Sequence, residues 1–273
     1  MPDIRVREVC EETVEDLAWL CVPKERRAEP AFVKGVEAKL AWARKRLQEG
    51  RSFAKIAYVE EEPAGVLHYE IDEEQSVVRI LCIFIPEKRF WGKGIGKALL
   101  FELMEETREG TVGSGRNPLQ ALLVHTFPGE EEGQLSAREF FRHYGFCQVT
   151  EDPDFLIFPL VPGYRFQPEH FFETFPSPPP YQPQPEDENQ ILIIYGPSFC
   201  PWTVLWYVKA AELLKKSLPW APLRWIDGVQ QPQELEKRGG FTGVVVKGQP
   251  LTKSVFNGEA FVNAAKEAWE KGG

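Results

Sequence analysis

Apolar positions along the chain switch between a period of two and a period near 3.6, and each switch marks an element. Ile4 to Glu8 alternates and predicts a short strand. Thr13 is placed to cap a helix through Leu20, with Glu15 and Asp16 in its first turn. Phe32, Val36, Leu40, Ala43 and Leu47 share one face and predict a helix from Ala31 to Gln48, ended by Gly50. Ser52 to Val59 and Gly65 to Ile71 read as a hairpin across the polar stretch Glu60 to Ala64. Val78 to Ile85 reads as a buried strand, and Ala98, Leu99, Leu100, Leu103 and Met104 recur at helical spacing between Lys97 and Glu106. After a glycine-containing loop from Glu109 to Asn117, Ala121 to Thr126 is a second apolar strand. Strand, helix and strand then make a βαβ unit with a parallel pair. Ser136 caps a further helix, Ala137 to Tyr144, which Gly145 closes, and Cys147 to Thr150 and Phe155 to Val161 supply the last strands.

The pattern then breaks. Pro176 to Pro185 is too rich in proline for a helix or an interior strand and favours an extended polyproline conformation. Residues 163–189 are therefore read as a linker, although Tyr164, Phe166, Phe171, Phe172 and Phe175 suit a segment packed onto a domain. Beyond it, strand Ile191–Tyr195, helix Val204–Lys216, strand Leu223–Ile226, short helix Pro232–Lys237, a hairpin of Gly243–Val246 with Leu251–Val255, and helix Gly258–Glu270 give the order β-α-β-α-β-β-α. The expected domains are 1–162 and 190–273.

At 273 residues, with 43% hydrophobic and 27% charged positions, the chain is of the globular class and long enough for two cores. A net charge of −9 argues against a dedicated nucleic-acid binder. The five cysteines, Cys10, Cys21, Cys82, Cys147 and Cys200, form no Cys-x-x-Cys pair, so neither a disulfide framework nor a metal site is expected. The first residues lack a signal-peptide apolar region and no apolar run approaches a membrane span, so the expected location is cytoplasmic, with no membrane partner.

Candidate chemistry centres on Arg89-Phe90-Trp91-Gly92-Lys93-Gly94-Ile95-Gly96-Lys97, where a buried strand turns into a helix. Alternate glycines leave successive backbone N–H groups unobstructed, and the helix start adds partial positive charge, which makes a cradle for an anion such as a pyrophosphate. A dinucleotide fold would put its glycines after the first strand; here several strands precede them. That ordering resembles the acetyl-CoA loop of the GCN5-related N-acetyltransferases (GNAT family). Ala137, Phe140, Phe141, Gly145 and Phe146 likewise resemble the family's Ala-x-x-Phe-Tyr-x-x-x-Gly-Phe signature. The resemblance covers roughly residues 1–162. It implies an α/β fold with a mixed sheet and acetyl-CoA as co-substrate. It also implies transfer of acetyl to a primary amine of a small molecule or peptide by direct attack in a ternary complex, and a homodimer as a common assembly. Tyr195 to Lys216, with the element order around it, resembles a smaller thioredoxin-like, YoaP-like domain.

The family's Gln/Arg-x-x-Gly-x-Gly/Ala motif fits in two registers. Arg89, Gly92 and Gly94 match literally; Trp91, Gly94 and Gly96 agree better with the helix that follows. Both implicate the backbone of Trp91, Gly92, Lys93, Gly94, Ile95, Gly96 and Lys97, and the resemblance lays Ile83, Phe84 and Ile85 beside the pantetheine arm. Phe141 stands where the family usually has a tyrosine acid, which leaves Tyr144, three residues on, as the nearest phenol. For the base, His125 ends a strand, His68 and Glu70 share a strand face, Glu87 follows the central strand, and His143 lies on a helix flank. Cys200, where a strand meets a helix, is the candidate reactive thiol, but Thr203 holds the position of a resolving cysteine. Two alternatives therefore stand beside the transferase: a non-catalytic acetyl-CoA-binding sensor or adaptor, and a monothiol redox or thiol-binding protein acting through Cys200.

Overall fold

The computed structural model describes residues 3–112, 119–126, 135–166 and 179–271. Its contacts divide the chain into two units. One is Met1–Cys21 with Arg44–Phe175; the other is Val22–Ala43 with Pro176–Gly273. The division expected from sequence put residues 22–43 in the first domain. By contacts these residues group with the second unit.

In the first unit the described strands form a sheet ordered β1-β2-β3-β4-β5-β7-β6. These are β1 (Ile4–Glu8), β2 (Ala54–Val59), β3 (Glu62–Asp72), β4 (Val77–Phe84), β5 (Ala121–His125), β6 (Cys147–Gln148) and β7 (Phe155–Pro159). Only β4 and β5 run parallel, joined by helix α3 (Ile95–Glu109). Helix α1 (Val14–Leu20) packs on β3. Thr13 is its N-cap residue, but the side chain makes no capping bond; the hydroxyl instead accepts from Cys10 N at 3.0 Å. The β2–β3 turn is tighter than the five residues predicted. Glu60 and Glu61 alone make it, both at positive φ, and β3 already starts at Glu62. Pro63 is accommodated next to a register shift between Ala57 and Tyr58.

Alternation gives the sheet two apolar faces. Ala57, Leu67, Tyr69, Val78, Ile80, Leu122 and Val124 lie with Leu99, Leu103 and Met104 of α3. Val77, Ala121, Leu123, Phe155 and Ile157 face the other way and are covered by Tyr164 and Phe166. Thus the first aromatic residues of the expected linker do pack on a domain; Phe171, Phe172 and Phe175 lie outside the described residues, as do residues 113–117 of the expected loop.

The second unit has strands β8 (Ile191–Tyr195), β9 (Leu223–Asp227), β10 (Gly243–Val246) and β11 (Gln249–Pro250), ordered β11-β10-β8-β9. β8 and β9 are parallel; β10 runs antiparallel to both β8 and β11. The last hairpin is shorter than predicted, since β11 comes straight after Lys247 and Gly248, both at positive φ. Helices α5 (Trp202–Ser217) and α7 (Gly258–Lys271) bury Ala210, Leu214, Phe261 and Ala265 against Ile191, Ile193 and Val246. A short α6 (Pro232–Glu236) precedes Arg238, whose side chain is fully buried. Arg238 grips Asp187 through two bonds, at 2.6 and 3.0 Å, and Glu234 at 3.1 Å. Tyr181 bonds the same Asp187 and stacks edge-on against Phe241, so the described end of the proline-rich stretch is fixed to this unit.

Helix α2 (Pro30–Gln48) runs from one unit into the other: residues 30–43 belong to the second and 44–48 to the first. Among the described residues no helix is long and apolar enough to cross a membrane.

Candidate functional site

β4 pairs with β5 only from Val77↔Ala121 to Ile80↔Val124. At that point β4 also gains a residue against β3: His68 pairs with Cys82 and Tyr69 with Ile80, which leaves Leu81 as a bulge. A bulge adds twist and bends its strand. Among the described residues, the ladder to β5 therefore stops short of Leu81–Phe84, and the bent end of β4 diverges from β5 there. Ile83 and Ile85 contribute side chains to the core, and Phe84 is half-buried.

The glycine turn lies just beyond. Gly92 and Gly94 have φ of +70° and +87°, the left-handed region that a side chain makes costly, and a Cβ on either would meet nothing within 4 Å. Among the described residues the turn is thus open on its outer side. Ala98 N donates to Gly94 O, so Gly94 is the N-cap and the N–H groups of Ile95, Gly96 and Lys97 have no acceptor within the helix. No acidic residue lies in the first turn of α3. From 88 to 97 the sequence carries Lys88, Arg89, Lys93 and Lys97 and no carboxylate, a cationic stretch in a chain of net charge −9. Helix start, open glycines and lysines all favour an anion.

The structure separates the two motif registers. Arg89 is turned away, bonded to Glu87 at 2.6 Å and to Glu62. Trp91 donates from Nε1 to Ile85 O at 2.9 Å and so pins the loop to the end of β4. Gly96 is buried inside the helix; a Cβ there would lie 3.1 Å from the Phe140 ring. Gly65 does the same for the sheet, since its Cβ would lie 2.7 Å from Ile95. Gly65 lets the start of α3 lie close on the sheet, and Gly96 lets the Phe140 ring lie close on α3.

Because β4 and β5 are parallel, the C-terminal end of β5 lies at the same end of the sheet as the start of α3. His125 is there, one residue past the end of the ladder, on the face away from α3. Its side chain is 60% exposed, and Nε2 lies 2.9 Å from Asp152 Oδ2. Glu70 and His68 point to that same side of β3, opposite Leu67 and Tyr69. Glu70 is held by Arg46 at 2.7 Å, and His68 is 1% exposed. Glu87 is engaged by Arg89. Tyr144 sits among rings, 5.0 Å from Phe140 and 5.5 Å from Phe101. Phe141 is buried, edge-on to Phe140 and Phe146, and His143 is on the surface.

Asp152, Arg46 and Gly65 carry no sequence signal for these roles. Asp152 meets His125 only through the β5–β7 pairing, Arg46 meets Glu70 only where α2 ends, and Gly65 matters only once α3 lies on it.

In the second unit, Cys200 stands two residues before α5, half-buried, with its N–H donating to Ser198 Oγ at 3.3 Å. Helix α2 covers this loop. Phe32 packs edge-on to Trp202 at 4.9 Å and Trp42 lies 6.1 Å from Phe199. Ser198 N donates to Ala38 O, and a Cβ on Gly35 would fall 2.0 Å from Pro201 O. Lys34 also reaches Tyr195 and Asp227, which bond each other at the ends of β8 and β9.

Residues 12–146 match the Acetyltransferase (GNAT) family. No curated protein matches the chain. Among solved structures the chain is similar to Ard1 from Thermoplasma volcanium, at 15% identity over 58% of this chain and 98% of that one, with a TM-score of 0.41. It is similar to the PaiA N-acetyltransferase from Thermoplasma acidophilum, in complex with coenzyme A, at 16% identity over 57% and 97%, TM-score 0.41. A third is a GNAT family acetyltransferase from Brucella melitensis in complex with acetyl-CoA, at 14% identity over 60% and 93%, TM-score 0.40. By the family match alone, residues 12–146 correspond to an acetyltransferase domain of the GNAT family.

Proposed function

We propose that this domain transfers acetyl from acetyl-CoA to a primary amine of a small molecule or peptide. The observation that carries the reading is the carboxylate-free glycine turn at the start of α3, open among the described residues and set beside the stretch of β4 that the ladder to β5 does not reach. The residues fit the co-substrate. Backbone N–H groups of Gly92 to Lys97 and the surrounding lysines suit the pyrophosphate, and the backbone of Leu81–Ile85 suits the amide-bearing pantetheine arm. Acetyl-CoA supplies a thioester whose carbonyl the amine attacks; the protein's part is to hold it, orient it and receive a proton.

The second unit is read as a thioredoxin-like fold that serves as a scaffold. Its strand order and the β-α-β-α-β-β-α sequence of elements support this reading. The loop that would present a redox thiol is instead the bed of α2, which argues against disulfide chemistry as its task.

The test is release of the CoA thiol from acetyl-CoA across pooled amines and peptides. Turnover by the wild type with at least one pool supports acetyl transfer. Tight CoA binding with no release on any pool overturns it in favour of a sensor.

A further inference from the structure

We infer that His125 is the base that takes the proton of the acceptor ammonium, and that Asp152 is the positioning residue that fixes the imidazole for it. This rests on the acetyl-transfer reading above. Five side chains at this end of the sheet have suitable chemistry, and the structure treats them differently. Glu70 already bonds the Arg46 guanidinium, Glu87 bonds Arg89, His68 is closed off, and the Tyr144 ring is wedged among aromatic neighbours. His125 alone of the five combines wide exposure with an orienting carboxylate.

The pairing is built. Asp152 Oδ2 faces His125 Nε2, while its Oδ1 accepts from Asp154 N at 2.9 Å, so the carboxylate is held at both oxygens. The turn that carries it is anchored to the end of β5. Thr126 N donates to Asp154 O at 2.8 Å, Thr126 Oγ1 donates to Asp154 Oδ1 at 2.8 Å, and Arg138 of α4 (Ala137–His143) reaches the same oxygen at 2.7 Å. These bonds, the Thr126 hydroxyl first and Arg138 next, hold the Asp154 carboxyl below its usual range. The imidazole therefore faces Asp152 of the β6–β7 turn and the Phe155 ring at 6.5 Å, with Asp154 on the same turn paired to Arg138 of α4. A carboxylate at Nε2 selects the tautomer with its proton there and leaves the Nδ1 lone pair to act as acceptor.

The step balances as follows. The ammonium gives one proton to Nδ1. The freed lone pair bonds to the thioester carbonyl carbon. Collapse breaks the C–S bond, with the electron pair leaving on sulfur. The second proton of the attacking nitrogen goes to solvent or to the departing thiolate, and His125 releases its proton to water.

The experiment compares wild type, His125→Gln and Asp152→Ala on whichever amine pool the wild type acetylates, with acetyl-CoA affinity measured alongside. Both substitutions are on the surface, and near-UV circular dichroism checks that each variant is folded. His125→Gln should lower kcat about a hundredfold, leave acetyl-CoA affinity unchanged, and remove one limb of the pH–rate profile. Asp152→Ala should lower kcat about tenfold with acceptor KM within twofold, since a positioning residue supplies part of the base's effect. Nitrogen NMR of the His125 ring should show the Nε2–H form in wild type and a mixture in Asp152→Ala. A His125→Gln enzyme within threefold of wild type, with its pH profile intact, overturns this inference and leaves acetyl transfer standing. A wild type inactive on every pool overturns acetyl transfer, and this inference with it.

Discussion

Lys55 is 1% exposed, yet its ammonium bonds Glu8 of β1 at 2.9 Å and also Glu106 of α3, and Tyr69 donates to Glu8 at 3.0 Å. Burial pulls the lysine's pKa down, but the two carboxylates outweigh it and hold the charge. This knot ties the C-terminal end of α3 to the sheet, and the glycine turn rides on the start of the same helix. Lys55→Met should cost about 2 kcal/mol in urea unfolding, less than a wholly buried pair because Glu8 and Glu106 can reach water. Tyr69→Phe, which removes one hydrogen bond, should cost about 1 kcal/mol. Equal costs for the two would mean that the charge pairing contributes nothing of its own. At this scale the sequence showed the residues whose chemistry is local. Gly92, Gly94 and Lys97 are visible because a glycine turn before a helix has a meaning independent of the fold. His125 was visible as a strand-end imidazole, but its carboxylate, Asp152, is 27 positions on and is brought near only by β7.

Helix α2 is the element whose place the sequence could not give. Its apolar stripe, Phe32, Val36, Leu40, Ala43 and Leu47, predicts a buried face without naming what covers it. In the structure its first turns lie on the Cys200 loop, and Gly35 is the point of closest approach. Gly35→Ala improves helix propensity by about 1 kcal/mol, but its methyl would meet a backbone carbonyl that cannot swing aside. We expect a net loss of about 2 kcal/mol in urea unfolding; a gain in stability would mean that the helix does not rest on Pro201. β4 shows the same limit. Its apolar run is plain in the sequence, but the bulge at Leu81 and the end of pairing at Ile80 arise from two neighbouring strands. The periodicity that defines a strand says nothing of where its partners leave it.

For the whole molecule, the interleaving of Val22–Ala43 with Pro176–Gly273 means that the second unit is not a contiguous segment. A fragment of residues 179–273 should therefore bind a synthetic peptide of residues 22–43; a fragment with full cooperativity and no affinity for that peptide would contradict the division. The same unit should be acid-sensitive. For Asp187, burial works upward, but the hydrogen bonds from Arg238 and Tyr181 prevail and lower its pKa. Lys237 first, and Arg238 after it, pull Glu234 from its ordinary 4.5 to about 2. A carboxyl with a depressed folded pKa stabilises the fold fully above its unfolded value, and that contribution fades as pH falls through the folded value. Stability of this unit should thus decline between about pH 4.5 and 2, and Glu234→Gln should flatten that decline; an unchanged acid slope would remove Glu234 from the account. The central claim concerns the other unit, where α3 begins at an open glycine turn. The most direct measurement is calorimetric titration of acetyl-CoA into wild type and Gly94→Glu, with near-UV circular dichroism as the check on folding. A carboxylate at that turn should repel the pyrophosphate and weaken binding by roughly a hundredfold, a cost of about 3 kcal/mol. Equal affinity in the two folded proteins would contradict the placement of the co-substrate at this turn.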